Sequence, residues 1–452
     1  MNKCIRFSAR MSLVVFGLRV RQMGIWDKIT SLVEIRQKTI VHQPLDKLLD
    51  ALINILAGGQ GVVEINTRVR SDQMVQGAFG RTSCADQSTV SDTLNACTEK
   101  TVKQMQEAVQ VIYREHSQGY GHDYEKREQL LDIDMTGMPA GRQGEGVTKG
   151  YFAGQKNRRG RQLGRVTATW YDEIVIDQLY EGKRQLDANL RGLVEAAEQT
   201  LELNESRRSQ TILRVDGGGG GTDDINWMLK RGYQVLVKVR NWRRAQKLCQ
   251  SVDEWHPDPK IAGREVGWIE EPYVYDRTTR QLGIRTRKQD GNWSYHVLVF
   301  NLSNETLLCL GRQPICHELL LKQVLFAALY AYDLRSGGIE TINKNSKQGL
   351  GLIKRNKKLF AAQMMLVLLA QLAYNLISWA RLEMSRQVPD FQKLGTLRFV
   401  RDVLSIPGRI ELDAQGHLLI ILNERHPWAL SFTTAFSSFL ALDDLSLILG
   451  QI

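Results

Sequence analysis

Residues 129–239 contain a regular succession of strand-like and helix-like runs, in the order β, β, β, α, β, α, β. Three strand-like runs come first, at 129–136, 165–170 and 173–177, and the last two flank a turn at Tyr171-Asp172. Two further strand-like runs, 211–216 and 234–239, alternate with helix-like runs at 188–203 and 222–231. Consecutive strands with short connections pair antiparallel, whereas strands separated by a helix pair parallel. The sequence therefore predicts an α/β fold with a mixed sheet.

Such a sheet, with three antiparallel strands followed by two helical crossovers, is what an RNase H-like catalytic core requires. The flanking sequence extends this core by segments of different character. Residues 1–125 contain amphipathic helical runs at 44–56 and 101–116 and predict an α-helical N-terminal DNA-binding region. The remaining segments are the first part of the core (126–239), a β-rich insertion (240–318), the helical second part of the core (319–385) and a C-terminal extension (386–452) with a hairpin at 408–422 and an apolar helical tail.

The chain is basic, with 452 residues and a formal net charge of +11. A hydrophobic content of 43% is ordinary for a globular protein and argues against disorder. An excess of positive charge indicates an anionic partner, of which nucleic acid is the commonest; the alternative is a merely soluble basic protein. The polar helical run at 87–96 suits a helix-turn-helix module that meets DNA, or equally an ordinary capped helix.

Residues 359–379 carry no charge over 21 positions, which is the length of a membrane span. The run includes Gln363, Gln371 and Asn375 and stands alone, so we expect a buried core helix and no membrane partner. The six cysteines have neither C-x-x-C pairing nor metal-finger spacing, which is typical of reduced thiols in the cytosol. They are Cys4, Cys84, Cys97, Cys249, Cys309 and Cys316.

Three acidic residues are candidate catalytic residues. Asp134 lies on the first predicted strand, Asp216 ends the fourth, and Glu340 follows in a later helical segment. Carboxylates that converge from separate elements repel one another, and the hard cations Mg²⁺ and Mn²⁺ make such a cluster tolerable. Asp132 lies on the same face of its strand as Asp134 and is the rival for the first position. For any one aspartate, the alternative is a strand-end cap or a surface ion pair.

Two other patterns allow simpler interpretations. Five glycines follow Asp216, but the sixth position of a G-x-G-x-x-G motif falls on Thr222, so a dinucleotide site is not expected. The glycines instead predict an exit from the strand without side chains, which leaves Asp216 open to a large ligand. Glu340, Lys344 and Lys347 share one helical face, so a surface salt bridge is an alternative to a catalytic role for Glu340.

The sequence resembles bacterial insertion-sequence DDE transposases in three blocks. These are L-D-I-D-M-T-G with the downstream E-G-V-T-K-G-Y-F, then R-V-D-G-G-G, then Y-D-L-R-S-G-G-I-E-T-I-N-K-N-S-K. The third block is similar to the Y-x2-R-x3-E-x6-K pattern of the branch that has a β-rich insertion between the second Asp and the Glu. The 124 positions that separate Asp216 from Glu340 leave room for this insertion.

The resemblance implies that Asp134, Asp216 and Glu340 bind two Mg²⁺ (or Mn²⁺) ions, and that Tyr332, Arg335 and Lys347 contact DNA phosphate. It also implies a homodimer that pairs the terminal inverted repeats of the element, cleaves them and transfers the strand into target DNA, in the bacterial cytoplasm at the nucleoid. Two alternatives are an RNase H-like nuclease without strand transfer and an inactive, transposase-derived DNA-binding protein. The chain departs from the pattern at Arg335, which precedes Glu340 by four intervening residues instead of three. One extra residue rotates a helix position by about 100° unless Gly337 and Gly338 absorb it.

Overall fold

A computed structural model describes residues 5–38, 41–152, 155, 157–314, 321–412, 417–440 and 445–451. Cys4, Cys316 and the turn of the predicted C-terminal hairpin at 413–416 lie outside the described residues. The chain forms two compact units. The helical unit comprises residues 1–117, 138–147 and 343–452, and the sheet unit comprises residues 118–137 and 148–342.

The strands in chain order are β1 (Arg6–Ser8), β2 (Gln129–Pro139), β3 (Thr148–Lys149), β4 (Arg159–Ala168), β5 (Glu173–Glu181), β6 (Thr211–Val215), β7 (Gln234–Lys238), β8 (His256–Pro257), β9 (Arg264–Trp268), β10 (Arg280–Arg287), β11 (Trp293–Phe300), β12 (Gly408–Leu412), β13 (Leu418–Asn423) and β14 (Leu445–Gly450).

The helices are α1 (Met11–Gln22), α2 (Ile25–Leu32), α3 (Pro44–Leu56), α4 (Ile65–Arg68), α5 (Gln73–Ala78), α6 (Gln87–Asn95), α7 (Glu99–His116), α8 (Leu190–Leu201), α9 (Glu205–Ser209), α10 (Thr222–Lys230), α11 (Trp242–Leu248), α12 (Asn304–Leu310), α13 (Leu321–Asp333), α14 (Thr341–Gln348), α15 (Phe360–Ser385), α16 (Thr396–Arg398) and α17 (Ala429–Phe439).

The sheet unit is built on one mixed sheet in which β5, β4, β2, β6 and β7 are successive neighbours. β4 and β5 pair antiparallel, whereas β2, β6 and β7 pair parallel. Helices α8 and α10 lie in the connections that lead to the parallel strands. This is the strand succession predicted from the sequence, and the α/β fold with an RNase H-like core is confirmed. All five residues of β6 are buried, which is typical of a central parallel strand covered on both faces.

The inserted strands continue the core sheet. β11 pairs antiparallel with β7, and β10, β9 and β8 follow in order beyond it. The core under these strands includes Leu298 and Phe300 of β11, which belong to one buried cluster with Leu325 and Leu329 of α13. The segment that precedes the third sequence block is therefore packed directly on the extended sheet.

The helical unit contains the long apolar helix α15. It is the one helix among the described residues with the length and hydropathy of a membrane span, and 89% of its most apolar window is buried inside the protein. Its polar groups are satisfied internally: the amide of Gln363 accepts from the Lys357 N–H at 2.8 Å and donates to the Arg355 carbonyl at 3.1 Å. These contacts support the interpretation of this run as a core helix.

A small second sheet, in the order β1, β12, β13, β14, belongs to the helical unit. The predicted hairpin strands are present as β12 and β13 and pair antiparallel. The prediction of a helical tail is right for α17 but wrong for β14, which pairs parallel with β13. Its residues alternate between partly buried and exposed side chains, a pattern of period two that suits an edge strand.

The pKa of His296 on β11 is the basis of a stability prediction. Burial, together with the charge of Lys238, lowers this pKa from 6.5 to about 4. The unfolded chain then binds a proton at His296 more readily than the folded chain, so stability is lost as pH falls from about 6.5 towards 4. We expect the free energy of unfolding of the wild type to fall more steeply over this range than that of His296→Gln.

Urea denaturation at a series of pH values measures this difference. His417→Gln, a change at an exposed histidine, is the control and should follow the wild-type profile. Parallel profiles for the wild type and His296→Gln would contradict the prediction.

Candidate active site

Asp134 lies in the middle of β2, next to the end of β6, where Asp216 follows the last strand residue. The parallel register pairs Ile133 of β2 with Val215 of β6, and one further residue along each strand reaches Asp134 and Asp216. The Asp216 carboxylate accepts a hydrogen bond from the Gly218 N–H at 2.8 Å, which orients it at the start of the glycine run. The two aspartates predicted from separate sequence blocks are thus neighbours on two adjacent parallel strands in the middle of the sheet.

The glycine run after Asp216 has a steric reason. A Cβ atom on Gly219 would lie 2.7 Å from Cγ1 of Val215, and one on Gly220 would lie 1.8 Å from the Lys238 carbonyl oxygen. The chain leaving β6 therefore packs against the backbone at the end of β7 too closely for any side chain. This agrees with the interpretation of the run as a side-chain-free exit from the strand.

Arg335 lies among the candidate acids. Its guanidinium is 2.9 Å from Oδ1 of Asp134 and donates to Oε1 of Glu340, also at 2.9 Å. Only 7% of the Arg335 side chain is exposed, against 14% for Asp134 and 52% for Glu340. The structure thus connects Asp134 with Glu340 through a shared, buried cation.

The pKa values of these groups reflect burial and mutual charge. Burial raises the pKa of Asp134 to about 6; Asp216 and Glu340 act in the same direction, and Arg335 opposes them. Burial alone would lower the pKa of Arg335, but the charges of Asp134 and Asp216 raise it above its ordinary value. Asp216 is therefore electrostatically coupled to both groups, and the site gathers negative charge around one cation.

A π-helical turn, Ser336–Glu340, accommodates the extra residue between Arg335 and Glu340. Within it, Gly338 leaves helical geometry, with φ −92° and ψ −109°. The chain is therefore kinked at Gly338, between α13 and α14. Because Arg335 and Glu340 remain in hydrogen-bond contact, the glycine pair absorbs the insertion and the two side chains stay on the same side.

The other predicted residues of the third block lie in different places. Tyr332, near the end of α13, is partly buried against the core of the sheet unit. Burial and the nearby carboxylates raise its pKa above the ordinary value, although Arg335 opposes them. Lys347 lies on α14 in the helical unit, whereas the other five predicted site residues lie in the sheet unit.

Asp132 and Arg214 form a buried ion pair beneath the candidate acids. Arg214 donates from Nε and from a terminal nitrogen to the two oxygens of Asp132, at 2.5 and 2.7 Å. The Thr169 hydroxyl donates to the same carboxylate at 2.8 Å. Since Asp132 is fully buried and both its oxygens are bonded, Asp134 is the acid of this pair that can meet a ligand.

Sequence reasoning missed the role of Arg214. Its third contact is the carbonyl of Ala331 on α13, to which it donates at 2.5 Å. It therefore ties β2 and β6 to the helix that leads into Arg335 and Glu340. The available signal was the alternation itself: a charged residue two positions before Asp216, on the same face, inside an otherwise apolar run.

A second missed network joins the insertion to α13. Arg264 on β9 donates to Asp258 at 2.6 Å and, through both terminal nitrogens, to Asp333 at 3.1 and 2.5 Å. The Tyr330 hydroxyl donates to Asp258 at 3.0 Å. The inserted strands therefore hold the end of α13, two residues before Arg335.

Divalent metal chemistry suits this donor set, although the described residues contain no group of three acidic, His or Cys side chains already close enough to hold an ion. The surroundings of Arg335 show that these acids can hold a cation. The carboxylates of Asp134 and Glu340 form ion pairs with its guanidinium, and the charge of Asp216 stabilises the charged form. Carboxylate oxygens are the ligands that Mg²⁺ and Mn²⁺ prefer. Asp134, Asp216 and Glu340 are thus compatible with such ions.

Comparison with known proteins identifies a matching family and a similar solved structure. The family described as "Transposase DDE domain group 1" matches residues 6–443. Among solved structures, the chain is similar to a piggyBac transposase synaptic complex with hairpin DNA, at 11% identity and a TM-score of 0.46, over 86% of this chain and 80% of that chain. No curated protein matches the sequence.

The pair of Asp132 and Arg214 yields a stability prediction. Asp132→Ala leaves an uncompensated buried guanidinium, and we expect the free energy of unfolding to fall by about 3–5 kcal/mol. The double change Asp132→Leu with Arg214→Met removes both charges and should recover most of this loss. Urea denaturation measures both effects, with the exposed pair of Asp123 and Lys126 as the control, where Asp123→Ala should change stability little. A double variant no more stable than Asp132→Ala would contradict the expectation.

The π-helical turn offers a matched pair of glycines. A Cβ atom on Gly338 would lie 2.8 Å from Oδ2 of Asp132 and 3.0 Å from Cγ2 of Thr169, whereas one on Gly337 meets nothing within 4 Å. We expect Gly338→Ala to lower the free energy of unfolding by about 1–3 kcal/mol through overpacking. Gly337→Ala should stay near the wild type. Thermal unfolding of the two variants is the measurement, and equal melting temperatures would refute the close packing of Gly338.

Proposed function

The chain belongs to the transposase family described as "Transposase DDE domain group 1", and we propose that it cleaves DNA at the ends of a mobile element and transfers the cut strand into target DNA. The observation that carries this proposal is the gathering of Asp134, Asp216 and Glu340 around Arg335, at one edge of an RNase H-like sheet. Three acids from separate elements that share one cation are suited to phosphodiester chemistry.

The proposed reaction has two steps. In the first, water attacks the phosphorus at the element end, and the bond to the 3′ oxygen breaks to leave a free 3′-hydroxyl. In the second, this hydroxyl attacks a phosphodiester of the target, and the bond from that phosphorus to its own 3′ oxygen breaks. Two Mg²⁺ or Mn²⁺ ions, held by Asp134, Asp216 and Glu340, would supply activation of the attacking oxygen and stabilisation of the leaving oxygen.

The protein's own side chains have distinct roles in this proposal. Asp134 is held within β2 and Asp216 directly after β6, so the backbone of the sheet sets their separation. Glu340 is half exposed and forms the open side of the site, where a phosphodiester can approach. Arg335 organises Asp134 and Glu340, because it forms an ion pair with the first and donates a hydrogen bond to the second.

DNA is the proposed partner, in keeping with the net charge of +11. We assign Tyr332, Arg335 and Lys347 to contacts with phosphate near the cleaved end, as the resemblance of the third block implies. A homodimer would pair the two terminal inverted repeats, because each repeat needs one catalytic site. The proposed location is the bacterial cytoplasm, at the nucleoid.

The three acids give the decisive test. Asp134→Ala, Asp216→Ala and Glu340→Ala should each reduce Mg²⁺-dependent cleavage at least about a hundredfold to a thousandfold, because each removes charge that acts in the transition state. Binding of the same DNA, measured by anisotropy in EDTA, should remain. The substrate is a duplex carrying the inverted repeats that bracket the reading frame.

Asp253→Ala, a change at an exposed acid, is the matched control and should cleave like the wild type. Retention of cleavage in any of the three variants would remove that residue from the site. Products joined to target DNA would separate a transposase from a nuclease, whereas binding without cleavage in the wild type would indicate an inactive derivative.

A further inference from the structure

The strand β14 forms one edge of the small sheet in the helical unit. One side of its backbone pairs with β13, and within the part of the chain that the structure describes no strand lies on its other side. The N–H and C=O groups along such an edge are a template for a further strand. The edge of β14 is therefore able to take a partner.

The other sheet edges carry features that discourage pairing. β1 has three residues and begins with Arg6, and β3 and β8 have two residues each. β5 is long, but its buried Asp177 is bonded to Arg165. Short strands and inward-pointing charges are devices that protect an edge from pairing. β14 has none of them, because its six residues, Leu445–Gly450, include no charge and no proline.

The leucines of β14 indicate that a neighbouring strand is missing. Leu447 lies beside Ile420 of β13 in the parallel register, and Leu449 lies beside Leu422. Both β13 residues are fully buried, whereas both leucines are only partly buried. On the opposite face of β14, Ile448 is 43% exposed. A strand added beside β14 would cover apolar side chains on both faces.

The segment around this edge is almost free of charge. The last 26 residues, 427–452, contain two charged residues, Asp443 and Asp444, in a chain that is 24% charged. Helix α17, which packs on β14, has no charged residue, and its Leu430 is 67% exposed. Phosphate binding requires cations, whereas the centre of a protein–protein interface is depleted of charge. The surface therefore suits a protein partner and not DNA.

The charge balance also favours a second copy of this chain as the partner. Two molecules with a net charge of +11 repel each other wherever basic surfaces meet. Two β14 strands can approach without opposing like charges, because neither carries any. Like charges directly opposite one another are what destabilises a pair of strands.

The strand is complementary to itself about a twofold axis. Residues that face each other in an antiparallel pair lie on the same side of the sheet. An axis through Leu447 places this residue opposite its own copy. Leu445 then lies opposite Leu449 of the other strand. On the second face, Ser446 lies opposite Ile448. The leucines form one continuous apolar row, and the assembly closes at two copies.

We propose that β14 pairs antiparallel with β14 of a second copy, so that two four-stranded sheets join into one sheet of eight strands. The inference rests on the proposed function for the use of the dimer, which is to bring two catalytic sites to two element ends. The contact itself needs neither DNA nor metal. Pairing of β14 with β1 of another copy would instead be head-to-tail and would not close.

Sedimentation velocity of the full chain without DNA, over a range of protein concentrations, tests this contact. Ile448→Lys places a charge in the middle of the edge, and Ser446→Lys, at an exposed position, is the second variant. The double change Ser446→Glu with Ile448→Lys is the rescue, because each introduced acid then faces an introduced base of the other copy. Circular dichroism and thermal unfolding verify folding, and Ser446→Lys decides if Ile448→Lys is unfolded.

Two controls make the same kind of change elsewhere. Val274→Lys replaces an apolar residue that is 87% exposed in the sheet unit. Phe7→Lys replaces one that is 62% exposed on β1, the opposite edge of the small sheet. The second control separates closed pairing of β14 with itself from open-ended pairing of β14 with β1.

We expect the wild type to form a dimer in a concentration-dependent manner. Ile448→Lys and Ser446→Lys should each raise the dimer dissociation constant by about tenfold, since the twofold axis applies each change twice. The double variant should return to within about threefold of the wild type. Val274→Lys and Phe7→Lys should leave the dissociation constant unchanged.

A wild type that stays monomeric at every concentration would overturn the inference and leave the edge to a strand of another protein. A dissociation constant that neither lysine variant changes would also overturn it, as would species larger than a dimer that Phe7→Lys abolishes. Mg²⁺-dependent cleavage of a duplex with the element ends is measured in parallel. Cleavage by a monomeric wild type would refute the inference alone, whereas a dimer that forms through β14 but never cleaves would refute the proposed function alone.

Discussion

The buried ion pair of Asp132 and Arg214 is the interaction on which the arrangement of the site depends. Moving two charges from water into the centre of a sheet is costly, and only good geometry offsets that cost. Here the guanidinium meets both carboxylate oxygens, and its remaining nitrogen is bonded to the Ala331 carbonyl. Such bidentate pairs are strong and directional. The pair therefore sets the positions of β2, β6 and α13 relative to one another.

Each of these three elements carries one candidate acid a short distance further along the chain. Asp134 follows Asp132 by two residues, Asp216 follows Arg214 by two, and the π-helical turn that ends at Glu340 begins five residues after Ala331. The charges of the site are thus arranged in two layers. The lower layer is neutral, closed and structural, whereas the upper layer has three acids against two cations, Arg335 and the Lys238 that interacts with Asp216. The excess negative charge of the upper layer is what makes it receptive to cations.

The sequence predicted the core well because its signals are local. Strand and helix periodicity predicted the succession of β2, β4, β5, β6 and β7 with their helices, and one acid within a strand and one at a strand end were the candidates Asp134 and Asp216. The sequence predicted less where contacts between distant residues decide. Neither the partner of Arg214 nor the bond from Arg264 to Asp333 has a signature in local periodicity, since their residues are 82 and 69 positions apart. The strand β14 was missed for the same reason, because its apolar residues acquire their alternation only beside β13.

The inserted strands also have a structural role that their composition did not suggest. A separate β-rich module would be tethered at its two ends only, but β11 is hydrogen-bonded to β7, and β9 reaches α13 through Arg264. The inserted strands are therefore hydrogen-bonded both to the core sheet and to the segment that leads to Arg335 and Glu340. The insertion thus belongs to the same sheet as the candidate acids, and it fixes the end of α13 that precedes Arg335.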